Sequence, residues 1–363
     1  MAKLKVDTIS GIGTEGPVFE GDIQFTSQNF LTLPKGDTTQ RGRGRAVFFS
    51  GNDNTTPSAD AIKNHIDFIQ IQTLGNTVTF GDSINPRRRR HQAAGSSSTR
   101  GVNCGGFAPA PTSPSRVDTI EFITLATQSN STDFANLTEA ASDVGTVTNG
   151  VRAVSALGID NSTFTNVINF FNIASQGTDA QDFGDTASGA YNNYGCLESP
   201  TRGVYVGGNN NTPSPSTQHN RIDYITIAST GNTQDFGDLT VATSIPEGTS
   251  SNTRGIIKHG QAGPTHTNTI DFITIASLGD AIDFGDSSYI SGAAGGGGSV
   301  SNTIRAVFAG GYGQAPSYTM VNGIEYLTIA TTGNGQDFGD ISEGTGGSAN
   351  KAGCSDSHGG LTE

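Results

Sequence analysis

The sequence predicts an all-β fold: a six-bladed β-propeller of four-stranded blades, closed by its C-terminal strand and preceded by an extended N-terminal arm. Three observations predict it. A unit of about fifty residues recurs through the chain, the period of propellers and other repeat arrays. Each unit holds four strand-like segments. The first unit lacks one segment that the end of the chain supplies.

The core of the unit reads Ile-Asp-Phe/Tyr-Ile-Thr-Ile-Ala-Ser-x-Gly-x-x-x-Asp-Phe-Gly-Asp. Its leading residue falls at Ile66, Ile120, Ile168, Ile222, Ile270 and Ile324, and its closing aromatic at Phe80, Phe134, Phe183, Phe236, Phe284 and Phe338. The two are 14 residues apart in five copies and 15 in the third. In the fourth copy, Ile222–Ile227 is β-branched and aromatic. Ile222, Tyr224 and Thr226 point to one face of a strand, and Asp223, Ile225 and Ile227 to the other. Ser229-Thr230-Gly231-Asn232 supplies a turn whose Gly and Asn tolerate positive φ. Gln234-Asp235-Phe236-Gly237 is the return strand, and Gly237 lets the backbone bend or approach a neighbour closely.

Upstream of each hairpin an Arg opens a small or apolar run: Arg45-Ala46-Val47-Phe48, Arg100-Gly101-Val102, Arg152-Ala153-Val154, Arg202-Gly203-Val204, Arg254-Gly255-Ile256 and Arg305-Ala306-Val307. Before the last five Arg residues lies a small-residue stretch, such as Ala93-Ala94-Gly95-Ser96, that suits an innermost strand crowded against an axis. Four antiparallel strands per unit make a propeller blade, in which radial repetition protects the sheet edges.

Arg45 has no small-residue stretch before it, whereas Ala349–Ser355 follows the sixth Asp-Phe-Gly-Asp and resembles the stretch at Tyr194-Gly195-Cys196. The C-terminal strand is therefore expected beside Arg45–Phe49, where it leaves no open edge. Residues 44–363 form the propeller and residues 1–43 the arm. Val6, Ile9, Val18, Phe19, Ile23, Phe25, Phe30 and Leu31 give the arm strand-like apolar surface. That surface either packs on the propeller or, the favoured reading, docks into another protein by strand addition.

Composition fits a scaffold of small and β-branched residues: 363 residues, 33% hydrophobic, 50 Gly and no Trp. The net charge of −13 argues against nucleic-acid binding, which needs a basic face. Met1–Thr8 has charges without an apolar core behind them, so no signal peptide is expected, and no run reaches transmembrane length. Synthesis in a cytoplasm without membrane insertion is the expectation. Cys104, Cys196 and Cys354 lack metal-ligand or pairing spacing and are expected as buried free thiols. Cys196 and Cys354 share a repeat position and belong to different blades.

No catalytic residue, metal ligand or cofactor is assigned. The repeated Arg could form an anion-binding ring, but sixfold recurrence marks a scaffold, so an inter-strand or inter-blade pair with the repeated Asp or Glu is expected. Asp235 and its equivalents are expected to accept hydrogen bonds within the hairpin or from a neighbouring blade's Arg. Arg87, Arg88, Arg89 and Arg90 break the repeat and are the second partner-contact candidate, against the plainer reading of a solvated run. Glu139, Glu198, Glu247 and Glu343 fall in loops, and nothing in the sequence groups them. The six His residues show no metal spacing, and convergence of ligands on the axis from separate blades stays open. The segments Gly51–Asn64, Phe107–Ser115, Gly208–Asn220 and Gly311–Val321 vary while the strands do not, as contact loops do. Their Asn, Thr, Ser and Pro suit hydrogen bonding to sugars or protein.

The order Arg, Gly-Gly, Ile-Asp-Tyr resembles a kelch blade, with Asp-Phe-Gly where kelch blades carry Trp. Thr201–Val204, Ile222–Asn232 and Asp235–Leu239, with the arm segments Val6–Gly11 and Leu33–Gly36, are similar to tandem units of structural proteins of marine tailed phages, especially cyanophages. The resemblance covers nearly the whole chain. It implies a non-enzymatic virion structural protein on the tail or a fibre, assembled in the host cytoplasm. The arm would bind other virion proteins, and the propeller would be presented to a host surface glycan or receptor. Two alternatives stand beside it: a propeller glycan hydrolase or lectin, which predicts unique carboxylates clustered in an axial pocket, and a capsid decoration or connector protein without host contact. Thr79, Ala135-Asn136 and Asn169 depart from the pattern, so the first three blades are expected to be less regular.

Overall fold

A computed structural model describes residues 44–49, 51–53, 61–84, 86, 94–108, 116–160, 163–187, 194–210, 217–263, 265–289, 296–313, 320–342 and 347–361. Residues 1–43 and the run Arg87–Arg90 lie outside these, and with them every partner-contact residue named above.

The described residues form six four-stranded antiparallel blades. From the axis outwards, blade 2 consists of Ala94–Ser96, Arg100–Cys104, Val117–Thr124 and Thr132–Ser142. Blade 3 consists of Gly145–Thr148, Arg152–Ala156, Val167–Asn172 and Gln181–Asp185. Blade 4 is built from Gly195–Glu198, Arg202–Val206, Thr217–Thr226 and Gln234–Thr243. Blade 5 has Glu247–Ser250, Arg254–Lys258, Thr269–Thr274 and Ile282–Asp286. Blade 6 has Gly298–Ser301, Arg305–Ala309, Gly323–Thr328 and Gln336–Asp340. Blade 1 is the composite one. Arg45–Phe49, His65–Gln70 and Val78–Asp82 come from the start of the described chain, and Ala352–Ser355 from its end. Ala46 pairs with Ser355 and Phe49 with Ala352, so the ring closes as the sequence requires.

The period-2 reading holds in register. All six leading isoleucines are buried, and Ile225 and Ile227 bury the opposite face of the same strand. The motif Phe meets the aromatic of the third strand edge-to-face in every blade, with centroids 5.8–6.1 Å apart, the arrangement ring quadrupoles favour. The motif Gly sits at a β-bulge. Gly237 has φ of 153°, and a Cβ there would lie 2.5 Å from the Gly279 carbonyl of blade 5, so the position requires both left-handed freedom and close approach. Among the described residues the first three blades are no less regular than the rest, since the extra register shift of blade 2 between Val117 and Thr119 has its counterpart in blade 4 between His219 and Arg221. Blade 2, with Ala135 in the glycine position, has the longest outermost strand (11 residues) and keeps the same bulge between Ile120 and Glu121.

The turns between first and second strands and between third and fourth strands lie on one side, here the turn face. The connections between second and third strands lie on the other, the loop face.

Candidate functional site

Each seam between blades is held by charged side chains, though not as the sequence suggested. The expected pairing of repeated Arg with repeated Asp does not occur. Instead, each Arg lies over the third-strand aromatic of its own blade, 4.4–4.8 Å from the ring centroid. Its Nη1 donates to a backbone carbonyl of the next blade at 2.7–3.1 Å: Arg45 to Leu125, Arg100 to Ile173, Arg152 to Ile227, Arg202 to Ile275, Arg254 to Ile329 and Arg305 to Ile71. One donor and one face of each guanidinium are thus used in holding the blades together, a scaffold role. Asp235 is exposed on the outermost strand rather than turned to an Arg.

The residue after the leading Ile supplies the reciprocal clamp. Asp67, Glu121, Asn169, Asp223, Asp271 and Glu325 are all buried. Four of them accept from a backbone N–H of the preceding blade's outgoing chain: Glu121 from Ile84, Asn169 from Thr138, Asp271 from Thr240 and Glu325 from Ser288. A buried carboxylate survives only when paired and hydrogen-bonded, and each has further partners. Lys351 reaches Asp67 at 3.3 Å, His259 meets Asp271 at 2.8 Å and Lys258 meets Glu325 at 2.9 Å. Burial pushes the Glu325 carboxyl up, but the Lys258 charge and the Ser287 and Ser288 hydrogen bonds outweigh it and hold it below its ordinary range. Burial likewise pushes Asp271 up, while His259 and Thr240 bring it down overall.

The axis is lined by small residues repeated from blade to blade, including Gly95, Ser96, Thr146, Gly248, Ser299 and Gly353, with Cys196 and Cys354 as buried free thiols. The free volume there is about 30 Å³, room for roughly one water. Its turn-face mouth is covered by the chain's own tail. Beyond the closing strand, Asp356 Oδ1 accepts from the backbone N–H groups of Gly44 and Arg45. His358 Nε2 donates to the Ser96 carbonyl at 2.9 Å, and its Nδ1 lies 2.6 Å from Glu198 Oε1. Asn252 donates to the Leu361 carbonyl. The tail thus touches blades 1, 2, 4 and 5, and Gly360 lies so close to the Thr148 carbonyl of blade 3 that no Cβ would fit. Burial alone would lower the His358 pKa; the Glu198 carboxylate and the Ser96 carbonyl raise it overall.

The glutamates read as loop residues are placed differently. Glu198 ends an innermost strand, Glu247 begins one and Glu139 lies in an outermost strand, while Glu343 falls outside the described residues. The structure groups one of them: Glu247, Lys258, Glu325 and Tyr289 converge where blades 5 and 6 meet. Lys258 Nζ lies 4.0 Å from the Tyr289 ring centroid, Glu247 accepts from Gly297 N–H, and burial followed by the two carboxylates pushes the Tyr289 hydroxyl pKa well up. This group breaks the repeat. Its chemistry is that of a closed ion-pair network. Among the described residues, no three His, Cys, Asp or Glu side chains are grouped to hold a metal ion.

An opening larger than the axial one lies on the loop face. A groove of about 620 Å³, within the usual range of ligand sites, lies between the loops of blades 4 and 5. Asn209, Thr217 and Gln218 come from one blade and Gln261 to Gly263 from the next, with Val241, Ala242 and Ser244 from the end of the blade 4 outermost strand and the residues after it. Sequence reasoning named Gly208–Asn220 as a contact loop. It missed the blade 5 half, because Gln261 and Ala262 lie in a segment no less regular than its neighbours. Compared with known proteins, the chain matches no family model and no curated protein sequence.

Proposed function

We propose that this chain is a non-enzymatic virion structural protein of a tailed phage, carried on the tail or a fibre. Residues 1–43 attach it to other virion proteins, and the loop face is turned to a host surface or a protein partner. The reading begins from the resemblance of the repeat. The observation that carries it is the axis: small repeated residues fill it and the chain's own tail covers one mouth. The hydrolase alternative needs unique carboxylates gathered in an axial pocket. Of the described carboxylates on innermost strands, Glu198 lines the axial cavity and is engaged by His358, and Glu247 accepts from Gly297 N–H. A ring whose seams are held by polar side chains suits a module that presents loops, and a groove of about 620 Å³ lies among those loops.

Cryo-electron microscopy of the intact particle tests the proposal. The expected result is residues 1–43 threaded into a tail or fibre component and the loop face open to solvent. A particle in which both propeller faces are covered by capsid proteins would replace host contact with decoration or connection, and absence of the protein from purified particles would remove the virion role.

A further inference from the structure

We propose that the groove at the seam of blades 4 and 5 binds an uncharged oligosaccharide. The inference rests on the reading that the loop face makes the contacts, and it names the ligand class. The fold contains an internal comparison for this seam. In blades 1, 3, 5 and 6 the outermost strand stops at the motif's second Asp, at Asp82, Asp185, Asp286 and Asp340. In blades 2 and 4 it runs on towards the loop face, to Ser142 and Thr243. At the seam of blades 2 and 3 that extension is zipped shut, with Ile159 of the blade 3 hairpin pairing with Ser142 and Asp160 with Ala141. At the seam of blades 4 and 5 the equivalent hairpin, Gln261–Ala262 and Thr265–His266, pairs with the extension at one position, the isolated bridge between Gln261 and Ser244, to which Thr243 Oγ1 adds a bond to the Gln261 carbonyl. The groove opens beyond that bridge. Gln261 stands where blade 3 has Ile159, and Ala262 where it has Asp160.

The walls specify chemistry. None of the described residues lining the groove is charged, although the chain carries a net charge of −13. A charged ligand would lose hydration without a counter-charge, and an anionic one would also meet the field of the protein. Three carboxamides, Asn209, Gln218 and Gln261, and two hydroxyls, Thr217 and Ser244, offer donors and acceptors side by side. A sugar hydroxyl, itself donor and acceptor, uses both. The Gln218 amide is fixed across the seam: its Oε1 accepts from Gly263 N–H, and its Nε2 lies 3.4 Å from Ser244 Oγ. Gln261 Nε2 donates to the same Gly263 carbonyl that Gln218 approaches. Amides held this way lose little freedom on binding. Val241, 39% exposed, offers an apolar wall to the C–H face of a sugar ring. No aromatic ring is among the described lining residues, so recognition is by hydroxyl geometry rather than stacking.

The test uses the purified full chain with maltotriose, cellotriose and N-acetyllactosamine as neutral probes and sialyllactose and a heparin disaccharide as charged ones, read by saturation-transfer NMR and titration calorimetry. At least one neutral probe should bind, with the charged probes weaker. Gln261→Ala should weaken binding roughly tenfold, the worth of one or two lost hydrogen bonds. Ala262→Arg, which fills the groove, should abolish it, with unchanged thermal unfolding showing that the variant folds. The proposal is overturned if no neutral probe binds, if the charged probes bind more tightly, or if neither substitution changes binding. Failure here leaves the position in the virion standing. Conversely, sugar binding by a protein absent from particles would remove the virion reading and keep the site.

Discussion

The tail that covers the axis makes the ring sensitive to pH through one side chain. His358 is 5% exposed, its Nδ1 lies 2.6 Å from Glu198 Oε1 and its Nε2 donates to the Ser96 carbonyl at 2.9 Å. Replacing it with Ala removes one charge-assisted hydrogen bond and one ordinary one. It also leaves the Glu198 side chain, 17% exposed, without its counter-charge. Together these should cost about 3 kcal/mol of stability, the lower end of the range for breaking a buried pair, because Glu198 keeps some contact with water. The folded-state pKa of His358 is raised above its ordinary value of 6.5. The charged contribution is therefore complete below that ordinary value and is lost as pH rises through the folded-state pKa. Urea unfolding of the parent and of His358→Ala at acidic, neutral and alkaline pH measures both parts. The gap between the two proteins should be widest on the acid side and narrow on the alkaline side. An equal gap at every pH would refute the ion pair as its source and leave only lost packing.

Three further outcomes follow from the seams. Arg202→Ala should lower unfolding free energy by about 2 kcal/mol through the lost bond to Ile275 and the lost contact with the Tyr224 ring, and Arg202→Lys should recover little, since an ammonium does not reproduce the planar stack; equilibrium denaturation checks both. Lys258→Met should cost about 3–5 kcal/mol by leaving Glu325 buried without its cation, and adding Glu325→Gln should restore part of that in a double-mutant cycle, whereas additive losses would mean that the pair is uncoupled. Gly237→Ala, with the Gly279 carbonyl 2.5 Å from the new Cβ, should lower the melting temperature more than Gly231→Ala, which meets open space at a similar φ; equal shifts would show that backbone strain alone matters.

The architecture was legible because its signals repeat. A leading Ile and a closing Phe at fixed separation locate two strands per blade. The missing stretch before Arg45 and the surplus one at Ala349–Ser355 locate the closure. The partners of the repeated charges were not legible, for a physical reason: Arg202 and Asp271 bind backbone carbonyls and N–H groups, and a backbone partner leaves no letter in the sequence. One trace was available. Asp223 shares its strand face with Ile225 and Ile227, and a recurring carboxylate on an apolar face signals a buried, satisfied acid. The tail was invisible because Asp356–Leu361 lies outside the repeat. The groove was half visible, since Gly208–Asn220 is irregular in sequence. The hairpin at Gln261 opens the groove by pairing less than its counterpart at Ile159, and the extent of pairing is a tertiary property.

The choice of backbone partners also bears on how this ring carries function. A seam that joined Arg to Asp would couple two side chains across each blade boundary, and changing either would strand a charge. Here each repeated Arg holds main chain of the next blade, and Glu121, Asn169, Asp271 and Glu325 hold main chain of the preceding one, with the Lys258–Glu325 pair at the seam of blades 5 and 6 as a side-chain link beside them. The loop face is then free to vary without loosening the ring. The seam of blades 4 and 5 illustrates the consequence. Arg202 still bonds Ile275 and Asp271 still accepts from Thr240, as at the other seams, while the hairpin above them has separated far enough to open a groove. Stability and recognition therefore occupy different levels of the same seam, and a substitution such as Ala262→Arg should alter the second without touching the first.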